Sequence, residues 1–379
     1  MRTPKLATRS VIVMAVPLLL AGGIAGTAVA APVAAARTTP LRQATAFSVN
    51  GSLVGVAATS ARNAWAVGSV GRASSATLIV HWNGRSWRRV ASPTPRGGGA
   101  LAAVAATSAR NAWAVGQAGT KTLILRWNGT SWRRVTSPTP AGGAELTGVA
   151  ATSARNAWAV GVTDSTSRIL IERWNGTSWR RVASPGFAGR AELAGVAATS
   201  PRSAWAVGTP IRSGVGAFGS LIIRWNGQSW KRVPSPALAN ASPISAVAAT
   251  SGTAWVVGCR CGGGPDGAVI GRWTGTAWRS AASPVRPVGS GLSGIAATSA
   301  RSAWAVGFAN ALGPASRPLI LRWNGIAWKK VASPGPAASD LFAVAATSVR
   351  NAWAVGTVFH SGTGAETTLI LHWNGAAWN

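Results

Sequence analysis

The sequence predicts an all-β fold built from seven copies of one four-stranded unit. Three observations support this prediction: a tryptophan-containing pattern recurs along the chain, its apolar runs are short and bounded by Gly, Asn, Ser and Pro, and no segment shows helical spacing. A typical copy reads VAATS, a turn, AWAVG, a variable stretch, an apolar run ending in RWNG, and then SWRRV followed by SP. Such a repeat governs the fold, because each copy is expected to form the same local structure.

The repeat accounts for every tryptophan of the chain. Its first tryptophan recurs at intervals of 45 to 50 residues, at Trp65, Trp113, Trp158, Trp205, Trp255, Trp304 and Trp353. Each copy holds three tryptophans, so the seven copies contain all 21. The copies begin near residues 53, 101, 146, 193, 244, 292 and 341.

Each copy is predicted to form four short antiparallel strands, named A to D in chain order. In the second copy they cover residues 101–107, 112–116, 122–127 and 132–137. Strands B and C are almost continuous apolar runs, which indicates a sheet covered on both faces. The Asn128-Gly129 pair between strands C and D suits the positive φ angles of a tight hairpin.

A sheet that is apolar on both faces is stable when neighbouring sheets cover it. Packing seven such sheets radially buries both faces of each one, which predicts a seven-bladed β-propeller. A linear solenoid is the alternative, but it requires polar terminal repeats, and copies one and seven are as apolar as the others. We therefore predict the closed ring.

The seventh copy indicates how the ring closes. It stops at Trp378-Asn379, where the other copies continue into strand D. Residues 41–48 precede the first copy at a suitable distance, and we expect this N-terminal strand to supply the missing outer strand of the last blade. The alternative is a sequence that stops short of its natural end.

The N-terminus has the pattern of an export signal. Arg2, Lys5 and Arg9 precede an apolar stretch, and Ala28-Val29-Ala30 has the small residues that signal peptidase recognises. The stretch is too short, and too rich in small residues, for a membrane anchor. We expect a secreted, extracellular or cell-surface protein. Its predicted parts are a signal peptide (1–30), a linker (31–40) and the propeller (41–379).

The repeat resembles the Trp-rich repeats of secreted bacterial β-propellers, which carry WAVG and WNGxxW signatures. It is distantly similar to kelch and BNR-type propeller repeats. The resemblance covers residues 41–379 and implies seven blades. It implies no particular activity, because propellers include lectins, hydrolases, oxidases and scaffolds.

Composition argues against an enzyme. The chain has seven acidic residues and no tyrosine. A galactose-oxidase-like site needs a tyrosine crosslinked to cysteine and a sialidase-like site needs a tyrosine nucleophile, so neither enzyme is expected. A glycan-active hydrolase is a less favoured alternative, which requires carboxylates that converge at the channel mouth. We expect no catalytic residues, no cofactor and no metal.

The acidic, histidine and cysteine side chains suggest structural positions. We expect the acidic residues in solvated loops or at the rim, without a shared position in the repeat. They are Glu145, Asp164, Glu172, Glu192, Asp266, Asp340 and Glu366. His81 and His372 lie before the second tryptophan of their copies, where other copies have Arg, which indicates a structural role. Cys259 and Cys261 are expected to form a local disulfide, with free thiols or a metal or redox role as alternatives.

The tryptophans are expected to form the core and the contacts between blades, because they occupy the same three strand positions in every copy. A carbohydrate-binding or base-stacking role is the alternative. Trp87, Trp132 and their equivalents begin strand D, the outermost strand, and are the expected partial exceptions to burial.

Basic residues recur at two positions of the repeat. One set lies in the turn between strands A and B and is predicted to surround one mouth of the central channel, with Gly252 in its place in blade five. Its members are Arg62, Arg110, Arg155, Arg202, Arg301 and Arg350. A second set on strand D is expected on the outer perimeter, where charge on an edge strand also opposes aggregation.

The charge balance predicts the partner. The formal net charge is +30, and removal of the three basic residues of the signal leaves 34 basic and 7 acidic residues, or +27. Such a charge concentrates polyanions near the surface. We predict a monomeric, non-catalytic binding protein whose turn arginines contact teichoic acid, an anionic polysaccharide or another envelope polymer. Specific nucleic-acid recognition is not expected, because no base-reading module is present.

A lectin-like propeller that uses the opposite face is the alternative function. There the B–C and D–A loops vary in length and composition, as is typical of ligand sites on a repeated scaffold. The long B–C segments cover residues 69–76, 209–220, 258–267, 308–318 and 357–366. Phe218, Phe308 and Phe359 are their aromatic candidates.

Overall fold

The computed structural model describes residues 47–71, 76–164, 166–187, 189–211, 219–239, 241, 243–260, 267–285, 289–310 and 316–379. The predicted signal peptide, the linker and residues 41–46 of the predicted closing strand lie outside these ranges. Within them, no helix has the length and apolar character needed to cross a membrane. The described secondary structure is β strand apart from a short 3-10 helix, Pro236–Leu238.

The strands of the first four blades follow the repeat copies. Blade one contains β1 (Ser52–Ser60), β2 (Asn63–Val70), β3 (Ala76–Trp82) and β4 (Trp87–Arg89). Blade two contains β5 (Ala100–Ser108), β6 (Asn111–Ala118), β7 (Lys121–Trp127) and β8 (Trp132–Val135). Blade three contains β9 (Ala144–Ser153), β10 (Asn156–Thr163), β11 (Ile169–Trp174) and β12 (Trp179–Arg181). Blade four contains β13 (Arg190–Ser200), β14 (Ser203–Ile211), β15 (Leu221–Trp225) and β16 (Trp230–Arg232).

The last three blades have the same antiparallel order, A–B–C–D, with blade seven shortened. Blade five contains β17 (Ile244–Thr250), β18 (Thr253–Arg260), β19 (Gly267–Trp273) and β20 (Trp278–Ala281). Blade six contains β21 (Gly291–Ser299), β22 (Ser302–Ala309), β23 (Arg317–Trp323) and β24 (Trp328–Val331). Blade seven contains β25 (Ser339–Ser348), β26 (Asn351–His360) and β27 (Ala365–Trp373).

The seven A strands form a closed inner circle. Each A strand contacts the A strands of both neighbouring blades, and β25 of blade seven contacts β1 of blade one. A linear stack would leave its first and last units without this contact. The seven-bladed β-propeller is therefore confirmed.

Small residues let the inner strands approach one another. A side chain at Gly294 would place its Cβ 2.8 Å from the Cα of Ala343 in the next blade, and one at Gly55 would meet the Cα of Ala103 at 3.0 Å. Every blade has Gly or Ala at this bulged position: Gly55, Ala103, Gly148, Gly195, Ala246, Gly294 and Ala343. Larger side chains would hold adjacent blades apart.

Three tryptophans meet at every interface between blades. The strand B indole of one blade packs on the strand C and strand D indoles of the next, with centroids 4.8–5.0 Å and 5.1–5.3 Å away respectively. The second contact is nearly perpendicular, a favourable edge-to-face geometry. The interface that closes the ring joins Trp353 to Trp82 and Trp87 with the same geometry as the other six.

The strand D tryptophans are more buried than predicted. They are 2–9% exposed: Trp87, Trp132, Trp179, Trp230, Trp278, Trp328 and Trp378. The expectation of partial exposure is wrong because each of these indoles meets the strand B indole of the preceding blade. The half-buried tryptophans are instead Trp82 and Trp127 of strand C.

Both ends of the propeller chain pair with β27, on the edge that faces away from β26. At one end of β27, Asn379 exchanges two backbone hydrogen bonds with His372, at 2.8 and 3.0 Å. Further along, the N–H of Thr368 donates to the Val49 carbonyl at 3.0 Å, and Asn50 forms a bridge with Thr367.

The closing segment is placed slightly later in the chain than predicted. Its described pairing residues are 49–51, whereas the prediction assigned residues 41–48, most of which lie outside the described ranges. Phe47 and Val49 also pack against the hydrophobic cluster between blades seven and one. Blade seven is therefore completed by two segments, one from each end of the propeller, which lie one after the other along the same edge of β27.

Candidate functional site

Each blade places its A–B turn against its C–D hairpin on one face of the propeller, which we call the turn face. In blade one, the indole Nε1 of Trp82 donates to the carbonyl of Ala61 in the A–B turn at 3.0 Å. The hairpin residue Gly84 has a φ of 92°, and a Cβ there would lie 3.1 Å from both Cβ and Cγ of Arg62. Six blades repeat the tryptophan hydrogen bond.

The six predicted turn arginines are all exposed on the turn face. They are Arg62, Arg110, Arg155, Arg202, Arg301 and Arg350. In each case the first side-chain carbons pack beside the hairpin glycine of the same blade. The turns lie at one end of the inner circle, and the arginine stems lie against the hairpins of their own blades. Blade five departs from this arrangement, because Gly252 replaces the arginine.

A second set of arginines, which sequence reasoning did not assign as a site, is inserted between blades. Its members precede the strand C tryptophan: Arg126, Arg173, Arg224, Arg272 and Arg322. Cζ of Arg173 lies 4.9 Å from the ring centroid of Trp158 in its own blade and 5.4 Å from that of Trp225 in the next. Its Nη2 donates to Asn156 Oδ1 and to the carbonyl of Pro201, both at 3.1 Å. The recurrent RW of the repeat was the available signal.

Histidine takes the place of this arginine in blades one and seven. The rings of His81 and His372 stack on Trp65 and Trp353, with centroids 4.1 and 4.0 Å apart. Each Nε2 also hydrogen-bonds the asparagine that begins strand B, at 2.8 and 2.9 Å. Burial lowers the pKa of both imidazoles. These contacts give both histidines a structural role.

Strand D adds exposed positive charge at the perimeter of the turn face. The first basic residue of each strand D lies directly opposite the arginine or histidine that precedes the strand C tryptophan. These residues are Arg88, Arg133, Arg180, Lys231, Arg279 and Lys329. The basic residues of strands C and D and of the A–B turns therefore share one face.

No acidic side chain lies on the turn face among the described residues. Asp164 follows strand B and Glu366 begins strand C, both at the opposite end of the blades, which we call the loop face. Asp266 lies outside the described ranges. The acidic residues in the described part of the chain thus lie away from the turn face, whereas basic residues lie on both faces.

Three acidic residues share one repeat position, contrary to the prediction. Glu145, Glu192 and Asp340 each stand one residue before the leucine that begins the buried part of strand A, on the loop face. The three residues stand at the same distance before the VAATS motif, so the sequence carried the signal for this equivalence. The Oγ of Ser316 donates to the Asp340 carboxyl, and burial raises the pKa of that carboxyl.

Glu172 is buried, and its prediction as a solvated residue is wrong. It is 0% exposed on β11, at a position where the other blades have Val80, Leu125, Ile223, Gly271, Leu321 and Leu371. The Oγ of Ser137 in blade two donates to its two carboxyl oxygens at 3.0 and 3.2 Å. Burial raises the pKa of Glu172 to about 7, although the Ser137 hydrogen bond and the charge of Arg181 oppose the shift.

The long loops of the lectin hypothesis are described in part. Phe218 and Cys261 lie outside the described residues, whereas Phe308 is half-buried and Phe359 is 37% exposed. Cys259 is buried on β18 and disulfide-bonded. Within the described ranges, no group of three or more His, Cys, Asp or Glu side chains is arranged to hold a metal ion.

No protein-family model matches this chain, and no curated protein sequence matches it. Solved structures do resemble it. YCF48 bound to a D1 peptide is 16% identical, with a TM-score of 0.54 over 86% of this chain and 96% of that chain. YCF48 from Cyanidioschyzon merolae is 16% identical, with a TM-score of 0.54 over 84% and 96% of the two chains.

A GH74 xyloglucanase from Xanthomonas campestris is similar to the same extent. It is 16% identical, with a TM-score of 0.56, and the match covers 85% of this chain and 55% of the xyloglucanase. At such low identity, these similarities show the propeller fold and carry no activity or ligand with them.

Proposed function

We propose that this protein is secreted and binds an anionic polymer, such as teichoic acid or an acidic polysaccharide, through its turn face and without catalysis. One observation carries the proposal: the turn face combines six exposed turn arginines with the basic residues of strands C and D, and has no acidic residue in the described part of the chain. A polymer that crosses this face meets positive charge on every blade it touches.

The repeat gives the face its multivalency. A single exposed charge contributes little binding energy because water screens it. Several charges on one rigid scaffold bind a polymer together, since each contact raises the effective concentration of the next. Hairpin glycines support the stems of the six turn arginines, which reduces the conformational entropy that these side chains lose on binding.

Two further features support a binding protein outside the cell. The N-terminal residues have the order of a signal peptide, a basic start, an apolar stretch and a small-residue cleavage site. A solved structure of the same fold, YCF48, is bound to a D1 peptide, which is consistent with a binding role.

A salt titration with a matched pair of variants tests the proposal. The first variant changes Arg110, Arg155, Arg202 and Arg301 to Gln, which keeps much of each stem and removes four charges from the turn face. We expect its affinity for immobilised teichoic acid to fall at least ~10-fold at low salt, and the slope of log K against log salt to become shallower.

The control variant removes the same number of charges from the loop face, with Arg96, Arg168, Arg260 and Arg317 changed to Gln. It should retain most of the affinity. Equal losses in the two variants would show that net charge alone attracts the polymer. Wild-type binding that barely weakens between about 50 and 300 mM salt would contradict an electrostatic interaction.

A further inference from the structure

The loop face of blade two contains a polar crevice with a volume of about 690 Å³. Its walls are residues 120–122, at the B–C turn and the start of β7, and the segment 134–143, which leads from strand D to the next blade. Lys121 and Arg134 supply positive charge, and the hydroxyl groups of Thr122, Ser137 and Thr139 line the crevice. The lining of the crevice therefore combines positive charge with hydroxyl groups.

The crevice is connected to the buried carboxyl group of blade three. The hydroxyl of Thr139 lies 2.6 Å from that of Thr122, which lies 2.7 Å from that of Ser137. Ser137 in turn donates to Glu172 at 3.0 Å. Because Thr122 is 2% exposed and Glu172 is 0% exposed, this line of hydrogen bonds leads from the crevice into the core.

Blade one contains the same hydroxyl groups without the acid. Thr77 lies 2.7 Å from Ser92 and 3.0 Å from Thr94, but the position equivalent to Glu172 in the adjoining blade is the fully buried Leu125. The repeat therefore folds with an apolar residue at this position, and the carboxyl group is a feature of the blade-two crevice alone among the seven copies.

We propose that the crevice of blade two binds one anionic sugar unit, a hexuronate, whose carboxylate is held by Lys121 and Arg134 and whose hydroxyl groups are recognised by Thr139 and its neighbours. This site goes beyond the proposed polymer binding, because it lies on the opposite face and takes a single sugar unit.

Glu172 makes the affinity of this site depend on pH. When its carboxyl is ionised, each hydroxyl donates inward and Thr139 presents lone pairs to the crevice. When it is protonated, it donates to Ser137, the chain of donors reverses, and Thr139 presents a proton to the anion. Because burial raises the pKa of Glu172 to about 7, the affinity for an anion should fall as the pH rises through neutrality.

The surrounding charges do not reverse this effect. Arg181 on β12 lies opposite Glu172 in the same sheet and opposes the effect of burial on its pKa. Asp164 borders the crevice at Gly143, where a Cβ would lie 2.6 Å from its Oδ2. Lys121 and Arg134 are the charged residues among those that line the crevice.

A titration of the whole secreted protein with sodium glucuronate, followed by NMR, tests the site. The sugar carboxylate keeps its charge between pH 5.5 and 8.5. A change in affinity over this range therefore reflects a titrating group of the protein and not of the sugar. We expect the dissociation constant to be at least ~5-fold lower at pH 5.5. Glu172→Gln should bind with the low-pH affinity at both pH values, because its amide is neutral and donates to Ser137. Thr139→Val should weaken binding at pH 5.5.

The matched control is Thr94→Val, the equivalent change in blade one, which should leave glucuronate binding unchanged. The turn-face variant with four arginines replaced should also retain it, which separates this site from the polymer-binding face. Absence of shifts in the amide signals of residues 137–143, unaltered pH dependence in Glu172→Gln, or equal binding of neutral glucose would each overturn the proposal.

Discussion

At the scale of single residues, the interface between blades two and three is marked by the fully buried carboxyl group of Glu172. The pKa of Glu172 rises from 4.5 to about 7 on folding, so the folded protein holds this proton more tightly than the unfolded chain does. The stability that this proton confers is complete below pH 4.5 and is lost as the pH rises toward and through 7.

We predict that Glu172→Leu stabilises the protein more at pH 8 than at pH 4. The carboxyl group costs about 3 kcal/mol at pH 8 that it does not cost when protonated, as its pKa shift implies. The difference is measured as the free energy of urea unfolding of both proteins at the two pH values.

Leu125→Glu provides the matched control, because it introduces a carboxyl group at the equivalent position of blade two. It should lower the free energy of unfolding, and more at pH 8 than at pH 4. A stabilisation by Glu172→Leu that is the same at both pH values would show that folding leaves the pKa of Glu172 unchanged.

The two stacked histidines act in the opposite direction. Burial lowers the pKa of His81 and His372 below the ordinary value of 6.5, so the unfolded chain binds these protons more readily. Their contribution to stability is complete above pH 6.5 and is lost as the pH falls through the lowered values. The interfaces on both sides of blade one are therefore acid-sensitive, whereas the other five carry an arginine.

At the scale of strands, strand C holds adjacent blades together through the arginine that precedes its tryptophan. Arg173 stacks between indoles of two blades and donates to a backbone carbonyl of the next A–B turn. A cation stacked between aromatic rings stabilises more than an isolated surface charge does.

We predict that Arg173→Gln lowers the free energy of unfolding by about 1–2 kcal/mol, because it removes the stacking and the charged hydrogen bonds. Arg168→Gln, which changes an exposed arginine directly before β11, should change the free energy of unfolding by less than about 0.5 kcal/mol. Urea unfolding at one pH measures both. Equal effects would mean that the stacked arginine contributes no more than an exposed one.

Strand C also shows how a neighbouring element compensates for a lost side chain. Gly271 of blade five stands where Glu172 stands in blade three. A Cβ at Gly271 would lie 2.7 Å from Cδ1 of Leu238, which belongs to the short 3-10 helix. Leu238 is buried there and fills the space that other blades fill from strand C.

At the scale of the whole molecule, stability depends on closing the ring. Seven interfaces repeat one tryptophan arrangement, and the last of them is supported by pairing of residues 49–51 with β27. A gap at this point would expose the sheet edge of blade seven and loosen its contact with blade one.

We predict that a chain beginning at Ser52 has a melting temperature lower by roughly 5 °C or more, because it loses the backbone hydrogen bonds of the closing segment and the packing of Phe47 and Val49. A chain beginning at Phe47 is the control and should melt close to the protein that retains residues 41–46. Thermal unfolding followed by near-UV circular dichroism measures the difference, and identical melting temperatures would exclude this closure.

Much of the fold could be predicted from the sequence, because the information is repeated and local. Alternating turn residues and apolar runs indicate the strands, and the spacing of Trp65 and its equivalents indicates the seven units. The turn arginines were also predictable in their positions. The direction of the arginine stems could not be predicted, because it depends on contact with a hairpin glycine about 20 residues further along the chain.

By itself, the sequence determined the number of blades, the strands within each blade and the residues repeated at each position, because strand propensity and turn chemistry act over a few neighbouring residues. The tertiary structure alone decided that Glu172 enters the core, that the strand D indoles turn inward and that arginines stack between blades. These outcomes depend on contacts with an adjoining blade, and the partners in those contacts are brought together when the ring closes.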